Sequence, residues 1–153
     1  MEIVENEEYV SFDTANALKE LGFNLPVRRC YCLGVLSAID IEPRDSNSGL
    51  DAFRHDNNDQ YRSAPTLSVV QRWLRENFNM HIMIDCIGRK NWLPTIQYMI
   101  SDKDIIVQDN AKPKMCSKYD GYDTYEEGLE AGINKCINLL IEEKEKRESC
   151  NAV

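Results

Sequence analysis

The sequence predicts an α+β fold: a small, mainly antiparallel sheet packed by about three helices, in the order α, β, loop, α, β, β, α. Three observations carry the prediction. Helical spacing with capping signals occurs in three separated stretches, apolar runs of strand character lie between them, and neither a regular strand-helix alternation nor an internal repeat is present. At 153 residues with 42% apolar side chains, the chain has the size of a single domain and needs neither metal nor disulfide to be stable.

The first helix follows Tyr9-Val10. Ser11 is its N-cap, and Phe12, Ala15, Leu18 and Leu21 recur at helical spacing. Gly22 stops it in a left-handed conformation that lets Phe23 fold back on Leu18, and Pro26 prevents continuation. Residues 28–41, Arg-Arg-Cys-Tyr-Cys-Leu-Gly-Val-Leu-Ser-Ala-Ile-Asp-Ile, lack a 3.6-residue period and read as one strand, bent or bulged at Gly34. A long polar loop is expected over residues 42–64, with only Leu50 and Phe53 as large apolar residues. Loops of that length in a compact domain often carry function.

Thr66 is the expected N-cap of the second helix, whose apolar stripe is Leu67, Val70, Trp73, Leu74 and Phe78, with Arg72, Arg75 and Glu76 opposite. Trp73 and Trp92 are read as core anchors. Residues 80–87 alternate as a strand, placing Met80, Ile82, Ile84 and Cys86 on one side. Residues 88–91 turn into a hairpin partner over 92–100, in which Pro94 belongs at an edge or irregular position because it donates nothing to a ladder. Residues 104–108 extend or follow that strand, and a polar loop spans 109–121. Thr124 and Glu127 form a capping-box pair opening a long helix, with Leu129, Ile133, Cys136, Ile137 and Leu140 as its buried stripe. Residues 142–153 are a charged, fraying tail. Gly128, Gly132 and Cys136 repeat every four residues, a small-residue stripe read as a packing groove against the sheet.

The formal charge is -8. Such a balance disfavours a clamp on the phosphate backbone of nucleic acid, which needs an excess of Lys and Arg. The acidity is uneven: residues 1–8 form an acidic arm with four Glu, whereas 65–100 has four Lys and Arg against two Asp and Glu. That start is the reverse of a secretory signal, and no apolar run reaches membrane-spanning length. The expected compartment is therefore the cytoplasm, where the six cysteines (30, 32, 86, 116, 136, 150) remain reduced. Cys30 and Cys32, two apart on a strand, lack the spacing of redox or zinc motifs, and Cys86 and Cys136 are read as small hydrophobes.

No phosphate loop, nucleophile elbow, zinc-protease histidine pair or EF-hand pattern occurs. His55 with Asp51, Asp56 and Asp59 resembles a solvated loop more than a cation site. A Cys-His nucleophile pair would have to join Cys86 or Cys32 with His81. Arg28, Arg29, Arg72 and Arg75 are a positive group suited to an anion or acidic partner if they meet, and otherwise pair with the chain's own carboxylates. No cofactor, metal or catalytic residue is expected.

Three segments carry a resemblance: 9–15 with Leu21-Gly22-Phe23; Ala64-Pro65-Thr66-Leu67 with Trp73-Leu74-Arg75-Glu76; and 125–132, Tyr-Glu-Glu-Gly-Leu-Glu-Ala-Gly. In this order they resemble small phage- or prophage-encoded proteins of gut anaerobes, a family of unknown function, with departures between Cys30 and Arg62. The resemblance implies an accessory protein expressed inside a bacterium and no catalytic residues. The leading functional expectation is a non-enzymatic interaction module for a host or phage protein, through its acidic surface or long loop. The alternative is a small-molecule or nucleotide binder, or minor enzyme, with a pocket between sheet and loop at His55 and Tyr61. Nucleic-acid binding through the arginines ranks last. The candidate ligand or partner contacts are thus Arg28, Arg72, Arg75, His55 and Tyr61.

Overall fold

The computed structural model describes residues 8–39, 43–47, 61–100, 105–110 and 121–151. Its elements are α1 (Phe12–Glu20), β1 (Arg29–Cys32), β2 (Val35–Ala38), β3 (Tyr61–Ser63), α2 (Leu67–Phe78), β4 (His81–Cys86), β5 (Trp92–Ile100), β6 (Ile105–Asn110) and α3 (Tyr125–Asn151). The class is α+β, and the expected coarse order holds with finer strands inside it. The chain gathers into two compact units, Met1–Thr66 and Leu67–Val153. Each has its own three-stranded antiparallel sheet, ordered β2-β1-β3 and β4-β5-β6.

In the first unit, Ser11 caps α1 by accepting from the Thr14 amide at 3.3 Å. The helix ends as its sequence dictates. Gly22 takes φ +85, its amide donates to the Lys19 carbonyl, and the Phe23 amide donates to the Leu18 carbonyl at 3.0 Å. This pair of hydrogen bonds is the Schellman closure, and Phe23, Leu18 and Ala15 are all buried.

The single bent strand expected over residues 28–41 is instead a hairpin. A two-residue turn at Leu33-Gly34 joins β1 to β2 in the register Cys32↔Val35 to Arg29↔Ala38. Gly34 accepts φ +81 without cost, but Leu33 is held at φ +50. The usual turn signal, Asn or Asp before Gly, is missing, so the reversal was not legible. The expected long loop is also shortened. Its last residues, Tyr61–Ser63, form β3 against β1, while Arg44 pairs with Val27 as an isolated bridge. Asn47 is tied to two neighbours: its side-chain amide donates to the Phe23 carbonyl at 3.0 Å, and its oxygen accepts from the Ser63 amide at 2.9 Å.

In the second unit, α2 buries Leu67, Val70, Trp73 and Leu74. Phe78 is half-buried, edge-on to Trp73 at 5.1 Å. Thr124 caps α3 by accepting from the Glu127 amide at 3.1 Å. Leu129, Ile133, Cys136 and Ile137 are buried as expected, and the helix continues through the charged stretch to Asn151. Residues 142–151 are exposed throughout, with Arg147 paired to Glu143 one turn earlier at 2.7 Å.

The small-residue stripe is a packing groove. A Cβ on Gly132 would lie 2.8 Å from Ile82 Cγ2 and 3.2 Å from Pro94 Cβ, and one on Gly128 would lie 3.4 Å from Trp92 Cβ. The helix axis can lie this close to β4 and β5 only because those side chains are absent. Gly121 is tighter still, since its Cβ would meet backbone atoms of Asn91 and Trp92 at 2.7–2.8 Å. This closeness accompanies the reciprocal backbone bonds between Trp92 and Tyr122 at 2.8 and 2.9 Å.

Pro94 is not on an edge strand but in β5, the central one, opposite Ile84. Hydrogen bonding explains how it is tolerated. The Ile87 amide donates to the Asn91 carbonyl, and alternation from there makes Asp85↔Leu93 a bonded pair and Ile84↔Pro94 a non-bonded one. Pro94 nitrogen therefore faces away from β4, so its missing N–H takes nothing from that ladder; on the β6 side the described pairs run from Thr95↔Asn110.

Candidate functional site

The two edges of the first sheet differ. The Arg29 carbonyl accepts from the Ala64 amide, and alternation from this pair turns the backbone groups of Tyr61 and Ser63 outward from β3. Side chains meet them: Lys19 Nζ and Arg62 Nη1 donate to the Tyr61 carbonyl at 3.2 and 2.9 Å, and Asn47 accepts from Ser63. That edge is closed.

On the opposite edge, the Ile39 amide donates to the Arg28 carbonyl at 2.8 Å. The same alternation makes Cys30↔Ser37 and Cys32↔Val35 the bonded pairs and turns the N–H and C=O of Leu36 and Ala38 outward. Among the described residues no backbone or side-chain group meets them. Above this edge stands an apolar tip, with Leu33 73% and Val35 65% exposed. Leu36 and Phe12 are each 40% exposed. Tyr31 links them, as the cross-strand partner of Leu36 and the edge-on neighbour of Phe12 at 5.4 Å, its hydroxyl donating to the Val10 carbonyl at 2.7 Å. Among the described residues the hairpin thus combines outward backbone groups that nothing meets with apolar side chains exposed at its tip and on both faces.

The residues singled out in the sequence fall elsewhere. Tyr61 is half-buried in β3, and its carbonyl serves the closed edge. Arg28 is exposed in the first unit, and Arg29 lies with its guanidinium carbon 5.2 Å from the Tyr9 ring centre. Arg72 and Arg75 are exposed on α2 in the second unit. Arg72 pairs with a carboxylate of its own chain, donating to Glu76 at 2.8 Å, and that hydrogen bond and charge raise its pKa. His55, Asp51, Asp56 and Asp59 lie outside the described residues, as does Cys116.

His81 and Cys86 do not meet. They occupy the two ends of β4, five residues and so roughly 17 Å apart, on opposite faces. His81 bonds to Asn79 at 3.0 Å. Cys86 is exposed, contrary to its reading as a small hydrophobe, with its thiol donating to the Gly88 carbonyl at 2.8 Å. Cys30 is buried and Cys32 intermediate, as read for strand thiols. Cys136 is buried, and burial pushes its thiol up to about 12, so it is a packing group and not a nucleophile. Among the described residues no group of His, Cys, Asp and Glu converges on a metal site.

Leu33, Val35 and Leu36 were not singled out in the sequence. The available signal was the absence of any charge from Cys30 to Ile39, a length unusual for a strand that reaches a sheet edge. Compared with protein-family models, curated proteins and solved structures, the chain matches none.

Proposed function

We propose that the protein is a non-enzymatic interaction module that docks a host or phage protein through the β1–β2 hairpin. One observation carries this reading: a leucine sits at the exposed tip in a left-handed conformation. That conformation costs a non-glycine residue roughly 1–2 kcal/mol, and Asn or Asp would adopt it more readily while removing apolar surface from water. An apolar side chain kept where both backbone and solvation oppose it is accounted for by a partner that buries it. The resemblance of residues 9–23, 64–76 and 125–132 to phage-encoded proteins supports a role inside a bacterium, where the cytoplasm would keep the thiols reduced. No described helix is long and apolar enough to cross a membrane.

The test compares wild type with Leu33→Asn, which suits the turn and removes the anchor. Proteins captured from bacterial host lysate by wild type and lost on substitution are then purified and titrated calorimetrically. A set of captured proteins identical for both forms would refute the reading.

A further inference from the structure

We infer that the β2 edge is a self-association site, at which two copies pair β2 with β2, antiparallel, about a two-fold axis through Ser37. The inference goes beyond the docking role of the tip, since it concerns the backbone ladder and not Leu33. Its first support is hydrogen-bond parity. Only Leu36 and Ala38 turn their backbone groups outward, and with the axis at Ser37 each Leu36 faces Ala38 of the second copy. Both pairs then exchange both of their bonds. Centring on Leu36 would place Ala38 against the turn residue Gly34, and a one-residue slip would set outward groups against groups already bonded to β1.

The second support is size and charge. In the Ser37-centred register, Leu36 meets Ala38, large against small, on the face shared with Tyr31 and Phe12. Val35 meets Ile39, a β-branched pair of the kind that stabilises sheets. No charged residue occurs from Cys30 to Ile39, and the lysines and prolines that normally protect an edge are missing. A cationic strand would find no carboxylate in this run, and Arg28 and Arg29 stand at its end. An identical neutral strand leaves no charge uncompensated. An isologous contact of this kind closes after two copies, so it gives a dimer and not a fibre.

The first unit has twelve Asp and Glu against six Lys and Arg, a charge of -6. Two such units repel at long range, and salt screens that repulsion. Self-association at the neutral edge therefore strengthens with salt, whereas binding of a cationic segment weakens.

The experiment is analytical ultracentrifugation of the full chain over concentration and salt, with Ala38→Pro and Leu36→Glu. Pro at position 38 deletes only an outward N–H, so the bonds to β1 survive. Expected are a wild-type dimer tightening with salt and, in either variant with an unchanged circular-dichroism spectrum, at least a roughly tenfold weaker association. Ser37→Cys, made together with Cys30→Ala because Cys30 lies directly opposite residue 37 in the same chain, supplies a second readout. The non-bonded pair at the axis places the two α-carbons about 4.5 Å apart, within disulfide range. Mild oxidation should link residue 37 to residue 37 of the other copy, identified by peptide mass spectrometry, while Ala38→Cys should form no such link. A wild-type chain that is monomeric at all salts, a dimer indifferent to Ala38→Pro, or cross-links confined to Cys86 and Cys150 would overturn the inference. Leu33→Asn keeps the dimer, so a dimer without host capture defeats only the docking role, and capture by a monomer defeats only the self-association.

Discussion

The two three-stranded sheets are finished by different means. In the second unit, α3 is pressed onto β4 and β5 through Gly128 and Gly132, and the outward Ile82 carbonyl on β4 accepts from Gln71 of α2 at 3.0 Å. In the first, polar side chains do the closing: Asn47, Lys19 and Arg62 finish the β3 edge, while among the described residues nothing meets the outward groups of β2. Close apolar packing has little tolerance for change. Stitching by single side chains can stop at one edge, and the strand left over is available to another chain.

Gly121→Ala should break the comparison most sharply. Its new Cβ would meet backbone that has no rotamer to escape into, so a loss of about 3 kcal/mol is expected, the upper range of overpacking costs. Hydrogen exchange should show β4 and β5 opening while β1 to β3 keep their protection. Asn47→Ala is the counterpart in the first unit. It removes the bonds to the Phe23 carbonyl and the Ser63 amide and should cost about 2 kcal/mol in denaturant melts, with faster exchange at β3.

Cys136 sharpens the contrast through pH. Its thiol titrates near 12 when folded, against 9.0 as its ordinary value. The folded state therefore holds a proton that the unfolded state releases. The thiol's contribution is fully present below pH 9 and declines as pH rises toward 12, by at most about 1.4 kcal/mol per pH unit. Stability measured from pH 7 to 10 should show this slope in wild type and a smaller one in Cys136→Ala. In the native protein a thiol reagent should label the exposed Cys86 and Cys150 and leave Cys136 unreacted. The smallest effect belongs to Leu33→Asn, which should leave stability unchanged or raise it by less than about 1 kcal/mol, because Asn suits the left-handed turn better. A large loss in a thermal melt would mean that Leu33 serves the fold, and would remove the reason for reading it as a docking anchor.

Much of the fold was legible because it rests on local rules. Ser11, Gly22 and Phe23 bound α1 through bonds among neighbours in sequence, and the stripe of α2 and the Thr124 cap are equally local. The Gly128-Gly132-Cys136 stripe announced close packing because glycine in a helix interior needs a compensating reason. The hairpin at Leu33-Gly34 was not legible, since its turn lacks the usual residues. The candidate site was hidden for a related reason: an open edge is a property of which strands pair, not of any residue type, and the arginine and histidine candidates drew attention to charge instead.

The amino-acid sequence alone determined the α+β class, the starts of the three helices and the end of α1, the acidity of the first residues and the lack of familiar catalytic motifs, all consequences of spacing and side-chain chemistry. Tertiary structure alone decided that Tyr61–Ser63 joins β1, that Pro94 sits in a central strand at a position needing no donor toward β4, and that Leu36 and Ala38 face outward. Strand pairing and hydrogen-bond parity join residues distant in the chain, and the period-2 pattern of a strand says which side chains share a face without saying which neighbour its backbone will meet.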